Sequence, residues 1–206
     1  MSILRNFTQG FFLQRFLIFV GLRPKHKRVL KQAHGVYKEI VAQARQPIFY
    51  QNWGIRDDKD GRFEMLSLHL FLVLDRLRLE PCDNPKDDVA LLGQFLSEVA
   101  VADLECNLRE MGVGDLGVGK RVQKMTKRHY ARMEMYRTLF SEPEENLDEK
   151  TLQQTLIDYV FSDETGFVPL KAGMGAEPFA AYIRANQQAL SLQTIPDLIT
   201  KADFSL

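Results

Sequence analysis

The segment from residue 62 to residue 79 carries apolar side chains on nearly every side when it is drawn as a helix. A helix that is apolar all round is usually the buried centre of a domain. Helical spacing continues through the rest of the chain, and no stretch alternates cleanly over six residues before a two-residue turn. These patterns predict an all-α protein that forms a single helical domain of about seven helices.

Glycine and proline residues divide the chain into the predicted helices. The first helix is heavily aromatic and is ended by Gly21 and Pro24, and Pro47 ends the second. We therefore separate an N-terminal amphipathic helix, residues 1–24, from a helical domain, residues 25–206. The predicted helices span residues 2–21, 25–46, 62–79, 87–111, 119–140, 147–161 and 178–193, with loops at 47–61, 112–119 and 166–175.

Cysteine content and hydropathy bear on the compartment. Two cysteines, Cys82 and Cys106, are too few for a disulfide framework and indicate a reducing environment. No apolar run reaches the roughly 18 residues that a membrane-spanning helix needs. No small-residue cleavage site follows the apolar N-terminal stretch, so a secretory signal is not expected. The sequence predicts a cytoplasmic protein.

Residues 112–117 match the pattern G-x-G-x-x-G, and residues 114–120 match the first seven positions of a P-loop. Both motifs need a strand before the turn, whereas residues 87–111 are predicted to be helical. In addition, Arg121 stands where a P-loop needs serine or threonine to hold magnesium. We therefore expect a joint between two helices, in which the glycines adopt positive φ and allow close packing.

Catalytic and metal-binding residues are not recognisable in the sequence. The four histidines are scattered, no pair has i,i+4 spacing, and neither cysteine lies at zinc-binding distance from another ligand. His69 and His129 lie on apolar stretches and are expected to be core or interface histidines. With no nucleophile motif either, we predict a non-enzymatic protein with no cofactor, metal or small-molecule substrate.

The formal net charge is zero because 27 basic and 27 acidic residues cancel, which argues against a protein built for bulk nucleic acid. The charges are nevertheless segregated along the chain. Residues 1–46 carry a net charge of +8 and residues 119–140 carry +6, whereas residues 47–118 and 141–206 carry −7 each. Two segments are therefore strongly basic.

The predicted helix 119–140 separates apolar and basic side chains onto opposite faces. Its apolar residues fall within an arc of about 80°. The basic side chains are Lys120, Arg121, Lys124, Lys127 and Arg128, with Arg132 at the border. Only Glu134 offsets them, whereas an ordinary solvated face mixes signs. The pattern favours an acidic protein, an anionic lipid surface or RNA as the partner, with a plain surface helix as the alternative.

The N-terminal segment combines an aromatic helix with a following cluster of cations between Arg23 and Lys31. Aromatic side chains that enter the lipid interface, with cations on the headgroups, are typical of peripheral membrane helices. Residues 1–31 are therefore a candidate for docking on an anionic membrane surface. The alternative is that the first helix packs onto the core.

Two blocks of sequence form an ordered motif. The first spans residues 60–65 (DGRFEM) and leads to Leu68 and His69. The second combines Asp103 with residues 108–116 (LREMGVGDL), and it continues through Val118, Lys120, Arg121, Val122, Tyr130, Arg132 and Tyr136. Together the blocks resemble the ubiquinol–cytochrome c chaperone family over about residues 35–185.

The resemblance implies an all-helical, non-enzymatic assembly chaperone. Such a protein binds newly made cytochrome b near the membrane during biogenesis of ubiquinol–cytochrome c reductase, respiratory complex III. The chain is similar to bacterial members, which places it in the cytoplasm, peripheral to the inner membrane; mitochondrial relatives work on the matrix side. Residues 25–206 would then be the chaperone domain. An RNA- or ribosome-binding module that uses the cationic face of helix 119–140 remains the alternative, although nucleic acid is not the favoured partner.

The expected contact surface for cytochrome b comprises the end of helix 87–111, the glycine joint and the cationic face. Its residues are Arg109, Glu110, Gly112, Gly114, Asp115, Lys120, Arg121, Lys124, Lys127, Arg128 and Arg132. The family motif adds Arg62, Glu64, His69 and Asp103. We expect Arg62 and Glu64 to act in capping and core pairing, with client contact as the alternative. Asp103 lies near the apolar stripe, so we expect it to be buried and paired with an arginine.

Overall fold

The computed structural model describes residues 24–81, 84, 87–141, 149–161, 172–202 and 204. Within these ranges the chain is helical and contains no strand, so the predicted all-α class is confirmed. The predicted helix 2–21 lies outside the described residues. The helices are α1 Pro24–Ala44, α2 Pro47–Gln51, α3 Lys59–Arg78, α4 Asp88–Glu110, α5 Asp115–Ser141, α6 Glu149–Leu156, α7 Ala172–Leu192 and α8 Ile195–Thr200, and a π-helical turn, Ile157–Phe161, continues α6.

The predicted single helical domain is confirmed. Within this domain the residues form two compact units. The first unit comprises Met1–His34 and Cys82–Arg128, and the second comprises Gly35–Pro81 and His129–Leu206. Helices α1 and α5 therefore each contribute residues to both units. The described part of each unit has its own buried apolar residues, and the two are described separately below.

In the first unit, α1 and α4 supply most of the buried side chains. Residues Val29 and Ala33 of α1 are fully buried, as is Leu96 of α4. An ion pair also joins the two helices, because Asp88 lies 2.8 Å from the Lys25 ammonium and also accepts a hydrogen bond from Arg28. The hydrogen bond from Lys25 is the main reason that the pKa of Asp88 is lowered.

In the second unit, α3 is the central helix, as its apolar sequence predicts. It packs against α7 and the π-helical turn, and α6 packs against α7. Asp58 caps the start of α3, because its carboxylate accepts hydrogen bonds from the N–H groups of Asp60 and Gly61, both at 2.9 Å. Such a cap satisfies donors that have no partner within the helix.

Two helices begin within stretches that were predicted to be loops, residues 47–61 and 112–119. The predicted loop 47–61 contains the short helix α2, which begins at Pro47. Proline is favoured at the first helical position because its fixed φ already suits a helix, so this proline ends one helix and starts another. Helix α5 begins at Asp115, because only the first glycines of the 112–119 stretch are used for the turn.

Helix α7 begins at Ala172 rather than at Pro178, so the predicted boundary is wrong by six residues. The glycines before Pro178 predict a loop, but Gly175 lies inside the helix against the backbone of Trp53. A Cβ atom at residue 175 would lie 1.8 Å from the carbonyl oxygen of Trp53 and 3.1 Å from the Phe161 ring. Glycine is needed there for close approach and not for a turn.

Replacing Gly175 with alanine is expected to destabilise the second unit by about 1–3 kcal/mol, because the helix and the Trp53 carbonyl must separate. Gly35 provides a matched control, since it lies within α1 and a Cβ atom there meets nothing within 4 Å. Gly35→Ala should be neutral or stabilising by up to about 1 kcal/mol. Urea unfolding followed by the fluorescence of Trp53, the single tryptophan, measures both variants. Equal stability of the two variants would contradict the close approach.

Candidate functional site

Helices α4 and α5 are joined in the first unit by a tight turn with a defined hydrogen-bond pattern. The N–H of Gly112 donates to the carbonyl of Arg109 at 3.0 Å, and the N–H of Val113 donates to the carbonyl of Leu108 at 3.1 Å. Gly112 has φ of +77°, so the turn is a Schellman motif with glycine in the left-handed position. Gly114 then caps α5, because its carbonyl accepts from Gly117 at 2.8 Å.

The turn geometry bears on the phosphate-binding patterns in residues 112–120. A helix precedes the turn, as predicted, where both nucleotide motifs need a strand. The predicted positive φ is found at Gly112 but not at Gly114, Gly117 or Gly119. The last two glycines lie within α5. This stretch therefore forms the expected joint between helices.

Most of the predicted partner-binding residues lie at the surface of the first unit. Arg128 is half-buried, and Asp115 is the first residue of α5. The opposite face of α5 is turned inward, as Val118 is buried there. The exposed residues are Arg109, Glu110, Gly112, Gly114, Lys120, Arg121, Lys124 and Lys127. The predicted cationic face of α5 is thus present at the surface.

Three of these cations lack a compensating charge. Lys120, Arg121 and Lys127 form no ion pair with any residue that the structure describes. On an ideal helix these side chains span an arc of about 120° and about 10 Å along the axis. No acidic residue occurs between residues 116 and 133. The face therefore carries charge of one sign, which favours an anionic partner.

Met111 adds an apolar group to this surface, and the sequence analysis did not identify it. Its side chain is 59% exposed at the C-terminal cap of α4. Within the described part of the first unit no other large apolar side chain is as exposed. An exposed, flexible methionine is a common contact in adaptable protein-binding surfaces. In the sequence, its position just before the glycine that ends the helix is the signal that marks it.

The acids of α4 are arranged differently from the prediction for Asp103. Asp103 is half-buried rather than buried, and its carboxylate accepts a hydrogen bond from Asn107 at 2.9 Å. The buried acid of α4 is Glu105, which binds the Arg109 guanidinium one turn later at 2.9 Å. The two acids differ in helical phase, because a shift of two positions along a helix turns a side chain by about 200°. The i,i+4 ion pair between Glu105 and Arg109 holds the Arg109 side chain beside the joint.

Arg132 and Glu64 form a bidentate ion pair in the core of the second unit. Nε and Nη2 of Arg132 donate to the two carboxylate oxygens of Glu64 at 2.7 and 3.1 Å. Nη2 also donates to the carbonyl of Tyr159 at 2.8 Å, and the guanidinium lies 4.9 Å from the centre of the Tyr159 ring. The side chains of Arg132 and Glu64 are only 13% and 1% exposed. This geometry favours a structural role for Arg132 over partner contact.

The first block of the motif also contains Arg62, which lies on the surface. Its Nε donates to the Asp57 carboxylate at 2.8 Å, and the hydrogen bond is the main reason that the pKa of Arg62 is raised. The capping that we expected from this region is performed by Asp58 instead. Arg62 therefore supports the loop that precedes α3 through an exposed ion pair, which contributes little stability.

His69 lies inside an aromatic cluster of the second unit, as its apolar context predicts. Its Nδ1–H donates to the Met65 carbonyl at 2.7 Å, and its Nε2 accepts from the Tyr182 hydroxyl at 2.6 Å. Gln43 completes the network by donating to the same hydroxyl at 3.0 Å. Burial lowers the pKa of His69 to about 4, so the ring is neutral at physiological pH. Rings of Phe49 and Phe204 pack against it.

The described residues contain no cluster of three or more histidine, cysteine, aspartate or glutamate side chains placed to hold a metal ion. Among the helices that the structure describes, none has the length and apolar character needed to cross a bilayer.

Comparison with known proteins supports the resemblance of the two sequence blocks. The family described as Ubiquinol-cytochrome C chaperone matches residues 51–203, which begins later and ends later than the predicted range of 35–185. The crystal structure of the Cbp3 homolog from Brucella abortus is similar to this chain, with a TM-score of 0.64 and 30% sequence identity. The match covers 94% of this chain and 95% of that one. A comparison with curated proteins found no match.

The match to well over half of the residues shows the family, so the chain belongs to the ubiquinol–cytochrome c chaperone family. It is a bacterial-type member, as the Brucella abortus homolog indicates. Its role is that of a chaperone, and its partner is a client protein.

Proposed function

We propose that this chaperone binds newly made cytochrome b through the surface formed by residues 109–114 and the cations of α5 from Lys120 to Arg128, hereafter the α4–α5 surface. Binding takes place at the cytoplasmic face of the inner membrane during assembly of ubiquinol–cytochrome c reductase. The protein holds the client without chemical change. Membership of the chaperone family supports this role.

One observation carries the choice of surface. Lys120, Arg121 and Lys127 are exposed and form no ion pair with a described residue, and Met111 is exposed at the joint that precedes their helix. Unpaired charges of one sign repel each other and gain free energy when an oppositely charged partner covers them. An apolar group within a charged rim is the usual arrangement of a protein-binding site. No comparable combination occurs elsewhere among the described residues of the first unit.

Reversing three cations of the α4–α5 surface is expected to block assembly. The variant Lys120→Glu/Arg121→Glu/Lys127→Glu should fold normally, because all three side chains are exposed and lie outside the core. Assembled reductase in membranes, measured by native gel and by haem b absorbance, should fall about tenfold or more because like charges now face the client.

A second triple variant provides the matched control. Lys38, Lys59 and Lys150 are exposed lysines of the second unit, and their reversal to glutamate changes the net charge equally. This variant should support normal assembly. Normal assembly with the α4–α5 variant, or equal loss with both, would contradict the proposal.

The same cations allow a test of the RNA-binding alternative. Binding through phosphates would give measurable affinity for bulk RNA at low salt, with a steep fall as salt increases. We expect no such binding above that of the triple glutamate variant. Salt-dependent RNA binding that the variant abolishes would favour the alternative instead.

We further propose that residues 1–31 dock the chaperone on the anionic membrane surface. In the described part of this segment, Lys25 and Arg28 bind Asp88, while Lys27 and Lys31 are exposed and form no ion pair with a described residue. Cations near an anionic surface contribute about 1 kcal/mol each. The aromatic residues before Arg23 would provide the apolar contribution.

Removing residues 1–22 is expected to release the protein from vesicles that contain anionic phospholipid. The variant Lys27→Glu/Lys31→Glu should weaken binding by about tenfold or more, because attraction becomes repulsion. Flotation with phosphatidylcholine vesicles serves as the control, and circular dichroism tests the fold of each variant. If the shortened chain floats as well as the complete one, the first segment does not dock on lipid.

A further inference from the structure

The charge and shape of the α4–α5 surface narrow the chemistry of the client segment that it binds. We infer that this surface recognises an acidic, water-exposed segment of the client polypeptide rather than a bare membrane-spanning helix. The inference rests on the proposed function and deepens it by naming the part of a membrane protein that is recognised.

The first step concerns the amount of exposed apolar area on the α4–α5 surface. A membrane-spanning helix exposes a continuous apolar face, and a groove that shields it needs several exposed apolar side chains. In the described part of the first unit, Met111 is the one large apolar side chain that is mostly exposed. Val113 beside it is half-buried, and Val118 is buried. The described residues of the surface therefore provide one apolar anchor rather than a continuous apolar face.

The second step is the charge that the partner must carry. Lys120, Arg121 and Lys127 occupy about 10 Å of the α5 axis, a length that roughly three or four residues of extended peptide cover. Because these cations have no acidic partner among the described residues, carboxylates spaced along a short peptide complement them without displacing an existing ion pair. The strongest binder is then a peptide with several acids and one apolar residue.

The third step concerns the rigidity of the surface. The Schellman turn fixes the chain direction between α4 and α5 through two backbone hydrogen bonds of 3.0 and 3.1 Å. The Arg109 side chain is held by Glu105, and Glu110 is an exposed acid at the joint. A preformed surface loses little conformational freedom on binding, so a short peptide is sufficient.

The test measures the binding of labelled probes to the complete protein by fluorescence anisotropy. The first probe is a short peptide of alternating glutamate and serine with one central leucine. The second replaces every glutamate with glutamine, and the third is a leucine–alanine helix in nonionic detergent. We expect the acidic peptide to bind best, with affinity that falls about tenfold between about 0.05 M and about 0.3 M salt.

The variants locate the binding. Lys120→Glu/Arg121→Glu/Lys127→Glu should reduce affinity for the acidic peptide more than tenfold, and Met111→Ala should reduce it about threefold or more. The control variant Lys38→Glu/Lys59→Glu/Lys150→Glu should bind normally. Unchanged affinity in the first triple variant, equal binding of the glutamine peptide, or tighter binding of the apolar helix at this surface would each overturn the inference. Tighter binding of bulk RNA than of the acidic peptide would overturn it as well.

Failure of this inference is distinguishable from failure of the proposed function. A photoreactive residue in place of the exposed Gln123, on α5 between the cations, reports contact with the client in cells whichever segment is bound. Crosslinks to cytochrome b without peptide binding would leave the proposed function in place and refute only the acidic segment. Peptide binding without crosslinks to cytochrome b would refute the proposed client.

Discussion

Replacing Arg132 with alanine is expected to lower the free energy of unfolding of the second unit by about 3–5 kcal/mol. The substitution removes both hydrogen bonds to Glu64 and the bond to the Tyr159 carbonyl. It takes the bidentate arginine away from a carboxylate that is only 1% exposed. Removing one partner of a buried ion pair costs much more than the loss of a surface ion pair. Urea unfolding followed by Trp53 fluorescence measures the loss.

A double variant separates the cost of breaking the ion pair from the net contribution of the pair to stability. Glu64→Leu/Arg132→Met keeps the volume but removes both charges, and it should recover most of the stability that Arg132→Ala loses. Reversal of the exposed Lys127, five residues earlier on the same helix, should change stability by less than about 0.5 kcal/mol. If Arg132→Ala were as mild as the Lys127 variant, the pair would not contribute to the core. Arg132 would then be available for partner contact.

Acidification is expected to destabilise the second unit through the buried His69 and the half-buried His129. The pKa of His69 and that of His129 are both lowered to about 4 by burial, compared with about 6.5 in the unfolded chain. Between these two pKa values the unfolded state binds more protons than the folded state. The contribution of the neutral histidines to the free energy of unfolding is therefore fully present above about pH 6.5 and is lost as the pH falls towards 4. Each histidine accounts for a loss of about 3 kcal/mol by pH 4.

Structure explains why His69 resists protonation. Its Nδ1–H already donates to the Met65 carbonyl, and its Nε2 accepts the Tyr182 hydroxyl hydrogen. A proton on Nε2 would displace the Tyr182 hydroxyl hydrogen from that nitrogen, and the charge would be buried among aromatic rings. His129 differs, because its Nδ1 has no hydrogen-bond partner among the described residues.

The variant His69→Gln removes one titrating group and so isolates its contribution. At pH 7 it should be less stable than the original protein, because it loses ring contacts with Phe49 and Tyr182. The difference in the free energy of unfolding between the variant and the original protein should shrink by about 3 kcal/mol as the pH falls to 4. His34→Gln is the control, since His34 is exposed and its removal should leave the curve unchanged. Parallel curves for His69→Gln and the original protein would contradict the assignment.

The parts of the fold that were predictable from sequence depend on local pattern alone. Helix α3 is apolar on all sides and is buried whatever packs against it, and its predicted range of 62–79 is close to the observed one. Helix α4 was likewise predicted to within one residue at each end. Errors arose where glycine or proline has two uses. Gly175 permits close approach to Trp53, and Pro47 starts a helix while it follows another.

The candidate site was predictable to a similar extent. Cations that share one helix face point outward because burying unpaired charge is costly, so the exposure of Lys120 and Lys127 followed from their spacing. Arg132 has the same chemistry and lies on the same helix, yet it is committed to Glu64, 68 residues away in sequence. Helical periodicity contains no information on such a distant pairing. The exposure of Met111 depended on where α4 ends, which was predicted only to within one residue.

The most direct test of the central claim is photocrosslinking in cells from position Gln123, on the cationic face of α5. Substitution there leaves every cation of the α4–α5 surface in place. Gln188 is the control position, because it is exposed on α7 in the second unit. We predict that position 123 crosslinks to newly made cytochrome b and that position 188 does not. Crosslinks to cytochrome b from position 188 alone, or none from position 123 during active synthesis of the client, would contradict the account.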